Sequence, residues 1–303
     1  MKVMLHTLLR SVGVVLLLAL LAPHASAGQK SFLWEITSPR NTVYLLGSVH
    51  VGNSSLYPLN RIIEHAFNKS SVLAVEADAT DEQAMMDTLK TALYTPPDNI
   101  THHLPQELIA RMQKILPNYG LPMEAVQTMK PYMAAMMLTL SESARLGYNP
   151  EHGMDLHFLN RAKTEKRKKK VIELESADSQ MRMMDEMTAA EQTALLELTL
   201  NSIEKNQVGD ELKGMFEAWQ QGDPEQLAKI ADASMAEMPE FRDAFNERIV
   251  TARNKAMSEK IAAFLKKNET YFVIVGALHL TGEQGIINLL RKKSFHVKQL
   301  PGD

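Results

Sequence analysis

Residues 43–50 read Val-Tyr-Leu-Leu-Gly-Ser-Val-His, and residues 273–279, near the other end of the chain, read Val-Ile-Val-Gly-Ala-Leu-His. Each is a short apolar run rich in branched and aromatic residues, the pattern of a buried strand, and each ends in a glycine with a histidine three residues later. At Gly47 and Gly276 the missing Cβ lets the chain turn at the strand end, through a positive φ or through close backbone approach. His50 and His279 are then held just beyond the carboxyl edge of a sheet, where open α/β folds bind their ligands. Because strands from the two ends of the chain must meet in one sheet, a single α/β domain is expected rather than two independent ones.

Working outward, residues 31–36 and 42–46 form the arms of a hairpin around Ser38-Pro39-Arg40-Asn41. Residues 59–68 have helical spacing through Ile62, Ile63, Ala66 and Phe67, and residues 71–75 are a compact apolar strand leading into Glu76-Ala77-Asp78. Residues 171–175 read as another short strand ending in Glu175, and strands at 270–275 and 295–300 close the chain around a helix near 285–291. Between these the pattern is helical. Leu104, Leu108, Met112 and Ile115 mark one helix, and Val126, Met133, Met137 and Leu140 a longer one that Pro131 kinks or starts. A second helical stretch, 178–267, is interrupted by Gly222-Asp223-Pro224 and by Pro239. The expected architecture is α/β: a small mixed sheet formed by N- and C-terminal strands, with a large helical insertion, about 81–165 and 178–267, acting as a cap.

The 303 residues are 45% hydrophobic and 23% charged, the balance of an ordinary globular protein. With no cysteine, the chain has no disulfide framework, no thiol nucleophile and no cysteine-ligated zinc, so any metal must sit on histidine, carboxylate, amide or water. A formal charge of −3 gives no electrostatic reason to expect nucleic acid as a partner, and the basic run Lys166-Arg167-Lys168-Lys169-Lys170 reads as a solvated turn. Residues 1–27 begin with Lys2 and Arg10, pass through an apolar run of about 11 residues and end in Ala25-Ser26-Ala27. That is the pattern of a secretory signal peptide cleaved after Ala27, since a spanning helix needs roughly 20 apolar residues. Residues 28–303 are then a single domain that is periplasmic or secreted, with no stable membrane span after signal cleavage.

If the strands run parallel, His50, His279, Glu76 and Glu175 converge on one cleft. Two histidines and a carboxylate are a common ligand set for Mn, Co, Zn or Fe, and a free carboxylate beside acidified water is a general base. The sequence leaves Glu76 open between ligand and base. The alternative is that the two glycines serve turns and each histidine caps a carbonyl. On a helix carrying Ile249, Ala252 and Ala256 inward, Arg253 sits near the edge of the buried face, placed to bind a substrate carboxylate or an oxyanion, or to pair with a surface glutamate.

The 19 methionines cluster at Met133, Met136 and Met137 and at Met181, Met183, Met184 and Met187. They read as adaptable packing or a pliant groove for a partner or peptide rather than as a Cu(I) site. His102-His103 and His152-x-x-Asp155-x-His157 lack strand-end positions and read as structural or surface groups. There is no Gly-x-Ser-x-Gly elbow, no His-Glu-x-x-His helix and no phosphate-cradling glycine loop.

The order Gly47-x-x-His50, Glu76, Gly153-Met154-Asp155, Leu174-Glu175 with Gln180, Arg253-Asn254 and Gly276-x-x-His279 resembles the TraB/GumN family over residues 32–300. The resemblance implies a superfamily that contains the Tiki metal-dependent proteases along with erythromycin-esterase-like and haem-binding ChaN-like proteins. It further implies an active site of His50, His279, Glu76 and Arg253, with Asp155 and Glu175 as possible additions. Two functions follow as expectations. One is a metal-dependent hydrolase acting on a peptide or small-molecule substrate, with amide hydrolysis ahead of ester. The other is a non-catalytic binding protein for haem, metal or peptide, in which the two histidines supply the ligands.

Overall fold

The computed structural model describes residues 29–165 and 168–302. The expected signal peptide, and Lys166 and Arg167 of the basic run, lie outside the described residues. Six strands form one sheet: β1 (Lys30–Thr37), β2 (Thr42–Ser48), β3 (Val72–Val75), β4 (Lys170–Glu173), β5 (Tyr271–Gly276) and β6 (His296–Pro301). Their spatial order is β4-β3-β5-β2-β1-β6, so strands from both ends of the chain do share a sheet. It is a mixed α/β sheet: β1 pairs antiparallel with β2 and with β6, whereas β2, β5, β3 and β4 run parallel.

The parallel registers explain the placement of the functional segments. Leu45 lies opposite Val273, and Val273 opposite Ala74. The strand ends that carry Gly47, Gly276 and Glu76 therefore emerge together at the carboxyl edge. Val75 lies opposite Glu173, and the ladder continues past the strands as Leu174 N–H donates to Val75 O (2.7 Å) and Glu175 N–H to Glu76 O (2.8 Å). Central β3 and β5 are buried at every residue, as continuous apolar runs require when helices cover both faces.

The helices are α1 (Arg61–Lys69), α2 (Glu82–Thr91), α3 (Gln106–Ile115), α4 (Pro131–Arg145), α5 (Met154–Thr164) and α6 (Ala177–Asp185), then α7 (Ala189–Glu204), α8 (Val208–Gln221), α9 (Pro224–Ser234), α10 (Pro239–Phe245), α11 (Ala252–Phe264) and α12 (Ile286–Lys292). On one face of the sheet, Phe67 of α1 and Phe158 of α5 pack against each other and on Phe272, with ring centroids 4.8–5.5 Å apart. Neighbouring Tyr271 points the opposite way and stacks on Phe264 of α11 at 4.4 Å. Thus α5 and α11, which fall within the segments expected to form the cap, pack on the sheet itself through Phe158, Leu159, Met257 and Ile261. A second core is helical, joining Leu108 and Met112 of α3, Ala135 and Leu138 of α4, and Leu196 and Leu200 of α7.

Pro131 starts α4 rather than kinking it, because the first helical turn has no use for the N–H that proline lacks. Val126 consequently lies outside this helix, whose buried face is Tyr132, Ala135 and Leu138; of the expected stripe, Met133 and Met137 are half-buried, Met137 against the helical core, while Leu140 turns outward. Leu140 is 44% exposed. Among the described residues no helix is long and apolar enough to cross a membrane.

Candidate functional site

His50 lies two residues past the end of β2, and His279 lies in the 3-10 turn Ala277–Leu280 that follows β5. Glu76 is the residue after β3, and its carboxylate is the hub of the cluster. Its Oε1 accepts the Gly276 N–H at 2.6 Å, and its Oε2 accepts Arg253 Nη2 at 2.5 Å and Gln180 Nε2 at 3.1 Å. Glu175 shares those last two donors: Gln180 Nε2 lies 3.0 Å from its Oε2, and Arg253 reaches it through Nε (3.0 and 3.1 Å) and Nη2 (2.7 Å). Gln180 is placed by α6, whose first turn is fixed by a reciprocal cap between Ser176 and Ser179.

The two histidines are each oriented from behind. His279 Nδ1 lies 2.7 Å from Asn254 Oδ1, and Asn254 donates its amide N–H to Gln284 O at 2.9 Å, which fixes the amide so that its oxygen faces the ring. Nδ1 therefore carries the proton and Nε2 presents its lone pair 3.7 Å from Glu76 Oε1. His50 Nδ1 lies 3.0 Å from Asp155 Oδ2, and the other oxygen of Asp155 accepts Ser48 Oγ at 3.0 Å. The free Nε2 edges converge beside Gly276: a Cβ there would sit 3.3 Å from His50 Nε2, 3.4 Å from Glu76 Oε1 and 3.6 Å from His279 Cδ2. Neither Gly276 nor Gly47 has a positive φ, so of the two uses expected for these glycines it is close approach that applies. At Gly47 a Cβ would strike the Phe32 ring.

Burial and charge set different protonation states on the two imidazoles. Burial pushes His279 down to about 4, so it is neutral near pH 7. His50 is raised to about 9, chiefly by the charge of Asp155, although its own side chain is 66% exposed. Burial alone would raise the Glu76 carboxyl, yet His279, Arg253, His50 and the Gly276 N–H together hold it below its usual range. With His279 neutral, the Arg253 guanidinium, the protonated His50 and the Gly276 amide are the influences that persist near pH 7. Asp155 is likewise held low against its burial by His50 and Ser48.

All the sequence-predicted residues come to one place, but not in one role. Asp155 stands behind His50, and Glu175 faces Arg253 and Gln180 rather than the histidines. The fork of Arg253 is occupied by two carboxylates and by Ile249 O, instead of standing open to a substrate anion or pairing with a surface glutamate. Its helix also faces differently from the expected stripe, for Ala252 and Ala256 are exposed and Asn254, Met257, Ser258 and Ile261 are buried. A π-helical turn, Asn246–Thr251, precedes α11, and its additional residue rotates the following face by about 100°. Ser48 was not anticipated, although it lies inside the Gly-x-x-His motif. Asn254 and Gln180 carried no signal of a role beyond the resemblance.

The donor chemistry of the site suits a divalent ion in part. The site offers two imidazoles, each with Nδ1 held by an oxygen and Nε2 turned to common space, the arrangement of metal-ligating histidine. Among the described residues, however, no group of three His, Asp or Glu side chains stands ready to hold an ion.

The model of the TraB/PrgY/gumN family matches residues 32–299, and the chain belongs to that family. It is 28% identical over 258 residues to YbaP of Escherichia coli, described as uncharacterized, covering 85% of this chain and 91% of that one. It is 22% identical over 320 residues to Metalloprotease TIKI1 of Danio rerio (89% of this chain, 63% of TIKI1) and 20% identical over 328 residues to Metalloprotease TIKI2 of Xenopus tropicalis (92% and 61%). No solved structure matches the chain.

Proposed function

We propose that this member of the TraB/PrgY/gumN family is an exported, metal-dependent hydrolase that cleaves amide bonds. The observation that carries the reading is the convergence of His50 Nε2 and the His279 ring on the Glu76 carboxylate beside a glycine with no Cβ. The distant likeness to TIKI metalloproteases supports it. His50 and His279 would hold a divalent ion through Nε2, with Mn, Co, Zn or Fe all compatible with this donor set. When bound, such an ion supplies Lewis acidity and water ionised near neutral pH.

The remaining roles belong to the chain's own groups. His279 is already neutral, whereas His50 must lose its proton to act as a ligand. Asn254 fixes the tautomer of one ring, and Asp155 with Ser48 fixes the other. Glu76 is better suited to balancing positive charge at the ion than to general base catalysis, because three donors occupy most of its lone pairs and its carboxyl is held below the usual range. Arg253, Gln180 and Glu175 position that carboxylate. Removal of residues 1–27 would leave the enzyme in the periplasm or outside the cell.

The test is elemental analysis of the purified protein after loading with each metal, with wild type beside a His50→Ala/His279→Ala variant and circular dichroism confirming both folds. Near-stoichiometric metal lost in the variant, with peptide turnover lost in parallel, is expected. Equal and negligible metal in both proteins after loading overturns the reading.

A further inference from the structure

Two cavities meet at the histidine-carboxylate cluster, and both are walled by His50, Ile249 and Arg253. The first, about 410 Å³, opens on the Glu76 side and is lined by Met85 of α2, Met136 of α4 and Met181, Met183 and Met184 of α6. The second, about 370 Å³, opens on the Gly276 and His279 side and is lined by Leu212 and Phe216 of α8, Leu227 of α9, Phe245 of α10 and Val250. Both volumes fall in the range of small-molecule and peptide subsites. The first cavity continues onto exposed apolar surface, because Met136 and Leu140, four residues apart on one face of α4, are 37% and 44% exposed.

The charges within the cavities narrow the occupant. The cations lining them are Arg253, occupied by Glu76 and Glu175, and His50, occupied by Asp155. Among the described residues no lining side-chain cation is left to receive a carboxylate or phosphate away from the ion proposed at His50 and His279, while Glu76 and Asp155 repel one. A neutral occupant is favoured. Apolar room on both sides of one polar centre also calls for apolar groups on both sides of the reacting bond, which a single-chain acyl ester does not carry and an extended peptide does.

We infer that the site takes an extended peptide segment with uncharged apolar side chains on both sides of the bond presented to His50 and His279. The methionine-lined side accepts apolar side chains of varied shape, because thioether chains repack at little cost. The other side, with one methionine (Met215) among Leu212, Phe216, Leu227 and Phe245, is more rigid and selects more narrowly. The inference rests on the hydrolase reading only for what happens to the bond, since the binding preference stands apart from turnover.

The probe is a fluorescein-labelled decapeptide, Gly-Ser-Leu-Met-Phe-Leu-Met-Ala-Ser-Gly, beside an analogue in which aspartate replaces every Leu and Met, with binding read by anisotropy. Wild type should bind the apolar peptide at least tenfold more tightly. Met181→Glu/Met184→Glu and Leu212→Glu/Phe245→Glu variants, checked for folding by circular dichroism, should each lose about tenfold. Peptides apolar in only one half should bind wild type more weakly than the full peptide, and equal binding of either half-apolar peptide overturns the two-sided inference. Equal affinity for the apolar and aspartate peptides overturns the inference, as does tighter binding of octanoylglycerol that displaces the peptide. Selective binding without turnover by the metal-loaded protein refutes the hydrolase reading and leaves this one standing; cleavage by it that is indifferent to flanking apolarity does the reverse.

Discussion

Replacing Arg253 with methionine keeps most of the side chain's length and removes the charge and the donors that hold two buried carboxylates together. The side chains of Arg253, Glu76 and Glu175 are only 12%, 9% and 13% exposed, so water cannot readily take over. Glu76 would keep the Gly276 N–H and Gln180, while Glu175 would keep only Gln180 among these donors. Removing one partner of a buried ion pair costs about 3–5 kcal/mol because a charge is left uncompensated. The penalty depends on pH. In the wild type Glu76 is held low, so its contribution is present above the unfolded carboxyl range near 4.5 and is lost as pH falls through the lower folded value. In the variant, burial acts on Glu76 with less opposition, raising it, so the penalty is full at pH 7 and shrinks as pH drops toward 4.5. Urea unfolding followed by the fluorescence of buried Trp34 and Trp219 measures both effects. A second change, Glu175→Gln, should recover at least half of the loss. A difference from wild type under about 1 kcal/mol at pH 7, or one equally large at both pH values, would refute the reasoning.

Asn254→Ala leaves the buried His279 Nδ1–H without an acceptor, a cost of about 1–3 kcal/mol in unfolding free energy. Turnover should fall by more than that stability loss explains, because the ring is no longer locked with Nε2 toward Glu76, and single-turnover rates above and below the substrate KM separate the two effects. The His50 ring should titrate near pH 9 in the metal-free protein by nitrogen NMR, and Asp155→Asn should lower that midpoint toward 6.5 because Asp155 is the main cause of the rise. A midpoint unchanged in the Asn variant would show that another group holds the proton.

Local pattern and chain order determined much of this protein in advance. The apolar runs at residues 43–46, 72–75 and 271–275 could be little but buried strands, and a glycine with histidine three residues later marked two of them as strand ends with chemistry. The breaks at Gly222-Asp223-Pro224 and Pro239 fell where helices end and begin, since proline cannot continue the preceding helix and is at home in the first turn of the next. Helix faces were less legible. A stripe of methionines marks an apolar surface without saying which core it meets, and so Met133 and Met137 were expected inside where Tyr132, Ala135 and Leu138 lie. The slip at α11 came from a π-helical turn, one residue of extra winding that leaves no trace in hydrophobic spacing.

The division of labour within the site was decided by tertiary structure alone. Strand pattern put His50, His279, Glu76 and Glu175 in reach of one sheet edge, and the family resemblance added Asp155 and Arg253, but which carboxylate faces which partner depends on contacts between segments some 25 to 200 residues apart. Parallel register sets Glu76 against the Gly276 N–H, and the rotated face of α11 turns Asn254 to His279 and Arg253 to the two glutamates. Sequence records residue type and order; the distances of about 3 Å that separate a ligand from its support arise only when the sheet and the helices over its edge pack together.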